Sequence, residues 1–73
     1  MPENFYTVEG SNAWGVSTFL NYYQKWTFKK TEAVLFDTLE EAQTAQKAFG
    51  LGHVECYRSE YLPIFQPPLP DKL

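Results

Sequence analysis

His53 and Cys56 are the side chains best suited to acid–base or nucleophilic chemistry, and each residue type occurs once in the 73-residue chain. A catalytic histidine needs an orienting carboxylate and a nucleophile beside it. No Ser or Asp stands at a spacing that singles it out for those roles, so His53 reads as structural or solvent-facing. Cys56 alternates with polar neighbours, which predicts a buried, inert thiol. One Cys excludes an internal disulfide, and one Cys with one His cannot complete a structural zinc site. Glu40 and Glu41 are adjacent carboxylates, but a helix start accounts for both. The glycines at 10, 15, 50 and 52 do not make a phosphate loop. The expectation is a protein that is not an enzyme and carries no metal or cofactor.

Residues 22–30, YYQKWTFKK, offer recognition instead of reaction. Lys25, Lys29 and Lys30, half of the six basic residues, are interleaved with Tyr22, Tyr23, Trp26 and Phe28. Rings among ammonium groups could stack on bases and neutralise phosphates of single-stranded nucleic acid. The favoured of the two functional readings makes them aromatic anchors with a basic rim, fitted to an acidic protein surface. In the plainest reading, Trp26 and Phe28 are core and the lysines a solvated face. The candidate partner-binding residues are Tyr22, Tyr23, Lys25, Trp26, Lys29 and Lys30.

The whole-chain charge of −3 and pI near 4.9 argue against a general duplex binder, which needs a basic face. Two Trp, five Tyr and six Phe make thirteen rings. A chain this short buries only about 60% of the surface its unfolded form exposes, so some rings are expected at a contact surface. No apolar run is long enough to cross a membrane. The opening MPENFYTVEG has neither the basic start nor the apolar centre of a signal peptide, and the expectation is a soluble, cytosolic monomer.

The elements that would hold the recognition segment can be read in order. Residues 2–10 and 14–20 predict two strands joined by the turn residues Gly10, Ser11 and Asn12. In the first, alternation makes Tyr6 and Val8 the expected buried pair. In the second, Trp14, Val16, Thr18 and Leu20 share a face. Residues 21–30 are a third strand, an extension of the second, or an ordered loop. Residues 33–37, AVLFD, predict a short apolar strand.

Residues 38–52 carry the strongest local signal. Thr38 and Glu41 form a capping box, Glu40 and Glu41 meet the positive end of the dipole, and Gly50 suits a left-handed C′ position with Leu51 as its apolar partner. Leu39, Ala42, Ala45, Ala48 and Phe49 lie near one stripe, with Leu39 and Phe49 expected to anchor the two ends. A last strand is expected at His53–Arg58. Tyr61, Leu62, Ile64 and Phe65 are apolar enough to pack back on the body. Pro2 opens the first predicted strand, the other four prolines fall outside the predicted elements, and residues 66–73 predict an extended, mobile tail with a PxxP spacing. The fold class is α+β: an antiparallel sheet of three to four strands covered by one helix, in the order β-β-β-α-β, with residues 1–65 as one domain.

This layout, with the helix opening Thr38-Leu39-Glu40-Glu41-Ala42, resembles the very small phage-encoded inhibitors of bacterial RNA polymerase. Those proteins are early transcription regulators of lytic phages. The resemblance implies a protein of the host cytoplasm that docks on a large polymerase subunit, β or β′. It would interfere with σ-dependent promoter recognition and modulate elongation and termination, with Trp26 and its aromatic neighbours carrying the contact.

Overall fold

The computed structural model describes residues 3–11 and 13–67. Four strands form one antiparallel sheet: β1 (Asn4–Ser11), β2 (Ser17–Leu20), β3 (Trp26–Thr27) and β4 (His53–Arg58). Their spatial order is β3-β2-β1-β4, so β1 lies inside and β4 forms an outer edge. The long helix α1 (Leu39–Phe49) falls between β3 and β4 in the chain. A second, four-residue helix, α2 (Leu62–Phe65), follows a 3-10 turn at Ser59–Tyr61. The fold is a small α+β unit. Of the tail expected at residues 66–73, residues 68–73 lie outside the described residues, as do Pro2 and the turn residue Asn12.

The helix starts and stops where its caps dictate. Thr38 is extended, and its hydroxyl accepts from the Glu41 N–H at 3.1 Å. Gly50 is left-handed at φ 86°, and its N–H closes on the Gln46 carbonyl at 2.8 Å. The stripe is narrower than its spacing predicts. Ala42 is fully buried, whereas Leu39, expected as an anchor, is 44% exposed, and Leu51 beyond the cap is more exposed still. Phe49 alone anchors an end, by packing on Trp26.

β1 departs most from its expected alternation. Directly opposed residues share a face of a sheet, and the pairings place Tyr6, Val8, Thr18, Leu20, Trp26 and Val54 on one side. Phe5, Thr7, Glu9, Phe19, Thr27 and Tyr57 lie on the other. Phe5, Thr7, Val8 and Glu9 are all buried, while Tyr6 is only half-buried. Both faces are covered. α1 covers the Val8 side. On the Phe5 side, Phe65 from α2 and Ala33 close a second core with Phe5 and Phe19, against which Leu35, Leu62 and Tyr57 pack. The central strand therefore has no solvent face, and alternation says nothing about which side is inside.

The segment expected as a strand at 33–37 makes two isolated bridges instead, Asn21 to Ala33 and Tyr6 to Phe36. β1 and β2 pair only through Glu9↔Phe19, Gly10↔Thr18 and Ser11↔Ser17 and then part. The segment fills the gap: the Val34 N–H reaches the Leu20 carbonyl, and Tyr6 and Phe36 exchange both main-chain bonds. Both bridges are antiparallel, although β1 and β2 already oppose each other. A straight strand cannot oppose two mutually opposed neighbours, so the segment bends between its bridges.

Other boundaries move for similar local reasons. β2 begins at Ser17, three residues later than expected, and Trp14 lies in the preceding turn, 86% exposed. Pro63 sits in the first turn of α2, where a missing N–H costs nothing. Cys56 is exposed, contrary to the buried thiol expected from alternation, because β4 is an outer strand with no described strand beyond it.

Candidate partner-docking surface

The hairpin joining β2 to β3 is held by one side chain. The Asn21 Oδ1 accepts from the N–H groups of Tyr23 at 2.9 Å and Lys25 at 3.0 Å. The main chain closes around it, Asn21 N–H to the Lys25 carbonyl and Gln24 N–H to the Asn21 carbonyl. Gln24 takes the left-handed conformation at φ 59°, rare for a residue with a Cβ. The tip that results presents Tyr22 at 70% and Tyr23 at 83% exposure. Tyr22 forms part of the wall of two shallow depressions. One, of about 230 Å³, is floored by Phe5, Leu35 and Leu62. The other, of about 340 Å³, runs past Tyr23, Thr31 and Glu32. Lys25 is exposed at the base of the tip and makes no ion pair among the described residues.

Past the tip the segment changes character. Trp26 is half-buried, and its ring meets that of Phe49 edge-on, centroids 4.9 Å apart. The same ring passes close over two glycines: an added Cβ would lie 3.1 Å from it at Gly10 and 2.7 Å at Gly52. Thr27 is buried and donates to Glu32 Oε1 at 2.7 Å, while accepting from the Lys29 N–H at 3.1 Å. The Lys29 ammonium stands 4.0 Å from Glu32, an exposed pair of little energetic weight. Phe28 is exposed, and Lys30 opens a 3-10 turn, Lys30–Glu32, with its side chain in solvent.

Five of the six residues expected to bind a partner thus fall into two exposed sets, with the sixth, Trp26, apart from both. Tyr22, Tyr23 and Lys25 share the tip. Lys29 and Lys30 lie beyond β3, and Trp26 between them is packed into the body. Asn21, which shapes the tip, escaped the sequence reading. Its signal was local: Asn beside an aromatic pair, ahead of a residue that must go left-handed, is turn chemistry.

The Phe5 face of the sheet holds a buried polar cluster. Glu9 is 6% exposed. It accepts from the Thr7 hydroxyl at 2.7 Å and from the Tyr57 hydroxyl, both on Oε2. Burial raises the Tyr57 pKa well above its ordinary value, and the hydrogen bond to Glu9 and the Glu9 and Glu55 charges raise it further. Tyr57 is therefore a fixed donor, and its ring stacks on Phe5 and packs on Phe65. His53 lies on the same face at the outer edge, exposed and 3.7 Å from Glu55. The cluster ties β4 to β1 and supplies no activated nucleophile. No group of three or more metal-ligating side chains occurs among the described residues.

Comparison with protein-family models, with curated proteins and with solved structures found no match.

Proposed function

We propose that this chain acts by binding another protein through the β2–β3 tip, with Tyr22 and Tyr23 as anchors and Lys25, Lys29 and Lys30 steering it to an acidic surface. The observation that carries this reading is the Asn21-locked tip, whose ordered main chain carries two tyrosines out into solvent. A main chain ordered before contact loses less entropy on binding, and exposed aromatic residues dominate interface energies. Exposed rings with only three lysines near them, on a chain of net charge −3, suit a protein interface better than a phosphate-tracking groove.

The narrower form of the proposal names the partner. The order of elements and the Thr38–Ala42 helix start support a phage protein that docks on a large subunit of host RNA polymerase and interferes with initiation by the σ-bound enzyme. Elongation and termination would be modulated from the same docked position. The test is a pull-down from bacterial lysate and with purified polymerase, run beside a Tyr22→Ala/Tyr23→Ala variant. Retention of a polymerase subunit by the parent chain, lost in the variant, is the expected result. No retained subunit overturns the narrower form. Salt-sensitive binding of labelled oligonucleotides without any protein partner overturns both.

A further inference from the structure

The outer edge of β4 lies at the opposite side of the sheet from β3, and it is a separate surface from the tip. The phase of its hydrogen bonds follows from two contacts. The Ser59 N–H donates to the Glu3 carbonyl at 2.8 Å, one step beyond the Asn4↔Arg58 pair. On the other side of β1, Tyr6 exchanges both bonds with Phe36. The odd-numbered residues of β1 therefore aim at β4. The hydrogen-bonded pairs of the ladder are Phe5↔Tyr57, Thr7↔Glu55 and Glu9↔His53. It follows that Val54, Cys56 and Arg58 turn their N–H and C=O groups outward, and no described main-chain group meets them.

An edge of this length normally carries a guard: a proline, a charged side chain (lysine above all), a bulge or a covering element. The six residues His53–Arg58 contain neither Pro nor Lys, their register with β1 runs without a bulge, and their two charges, Glu55 and Arg58, are of opposite sign. We propose that β4 pairs antiparallel with β4 of a second copy, Cys56 opposite Cys56, joining two four-stranded sheets into one.

The register is fixed by three requirements. A two-fold axis normal to the sheet pairs residues of like parity. Bonded pairs must join outward-facing residues on both copies. Like charges must not stand opposite each other. Centring on Cys56 sets Val54 against Arg58 on either side, uses all three outward residues of each copy, and places Glu55 opposite Tyr57. Centring on Glu55 uses two outward residues per copy and sets two carboxylates face to face. Centring on Tyr57 also uses only two, and centring on Val54 uses one. The Cys56 register is the fullest and carries no like-charge pair. It would put the two Cys56 Cα atoms about 5.5 Å apart, the spacing of a bonded antiparallel pair and within reach of a disulfide.

Sedimentation equilibrium from micromolar to millimolar protein tests the pairing, with amide exchange read at the same concentrations. The mass should rise from 8.5 kDa toward twice that value. Exchange should slow several-fold at Val54, Cys56 and Arg58, and not at Glu55 and Tyr57, whose amides already bond β1. Arg58→Pro is the decisive variant. Arg58 sits at φ −72°, ψ 148°, which proline accepts, and its N–H serves no bond within the described chain. The variant should keep its circular dichroism and remain at monomer mass. Diamide, which takes one hydrogen from each of two thiols to leave a disulfide and a hydrazine, should link the parent chain faster than Arg58→Pro, with Cys56→Ser as the blank. Monomer mass throughout, or association of folded Arg58→Pro equal to the parent's, overturns the proposal. So does exchange slowing at these amides only when a different protein is added.

Discussion

The Trp26 ring stands edge-on to the Phe49 ring at 90°, and this one contact fastens the outermost strand to the last turn of the helix. Trp26 belongs to a strand of two residues, too short to hold by its own ladder. Its position in the sheet depends on that ring.

Replacing Trp26 with Ala should therefore cost about 3 kcal/mol of stability, in the range for loss of a large packed aromatic. Tyr23→Ala, at the exposed tip one turn away, should change stability by no more than about 0.5 kcal/mol while weakening partner binding. Urea unfolding of the two variants gives the comparison. Equal midpoints would mean that the Trp26 ring supports nothing.

Gly50 and Gly52 separate two costs of a side chain. Both are left-handed, at φ 86° and 85°. A Cβ on Gly50 meets nothing within 4 Å, whereas one on Gly52 lies 2.6 Å from the Glu9 carbonyl oxygen and 2.7 Å from the Trp26 ring. Gly50→Ala should cost about 1–2 kcal/mol, the left-handed penalty alone. Gly52→Ala adds an overpacked contact with main chain and should cost at least about 1 kcal/mol more. Thermal melts of both variants would check the order.

Asn21→Ala removes the acceptor of two main-chain N–H groups at the tip. Those groups are exposed and water replaces the bond, so stability should fall by less than about 1 kcal/mol. Partner affinity should fall by roughly fivefold to tenfold, because the tyrosines must then be ordered during binding. A calorimetric titration with the captured partner distinguishes this from loss of fold. Unchanged affinity would show that tip order is irrelevant.

Tyr57 makes stability fall in alkali. Its folded pKa is raised above the unfolded value of 10.0, so the folded chain holds a proton that the unfolded chain releases. Its contribution is complete below the unfolded value and is lost as pH rises toward the folded one. Tyr57→Phe should lower stability at neutral pH by about 1–3 kcal/mol, since buried Glu9 loses a donor, and should flatten the alkaline decline. Denaturant midpoints measured from pH 8 to pH 12, the window bracketing the ordinary tyrosine value of about 10, would show both effects.

The helix was legible in the chain because its signals are local: Thr38, Glu41 and Gly50 act within one turn of themselves. The faces of β1 were not. Phe5, Thr7 and Glu9 are buried because Phe65 and Ala33 arrive from far along the chain to cover them. Nothing in the spacing of residues 4–11 announces that. Residues 33–36 are apolar enough to read as a strand, but their bend follows from where β1 and β2 separate. At the candidate site, composition marked the rings and lysines. Whether each ring pointed outward depended on its neighbours: Trp26 found Phe49 and two glycines, while Tyr22 and Tyr23 found an asparagine-built turn.

β1 is an inner strand that β2, residue Phe36 and β4 all use, and it precedes every one of them in the chain. During synthesis it emerges with its Glu9 carboxylate and both apolar flanks unmatched. Its last partner, β4, leaves the ribosome some fifty residues later, with Glu9 opposite His53 and Asn4 opposite Arg58. Closing such distant pairs is slow and leaves strand edges open meanwhile. The nascent chain should therefore be protease-sensitive until Phe65 has cleared the exit tunnel, and then gain its sheet, both cores and the Glu9 cluster in a single late step.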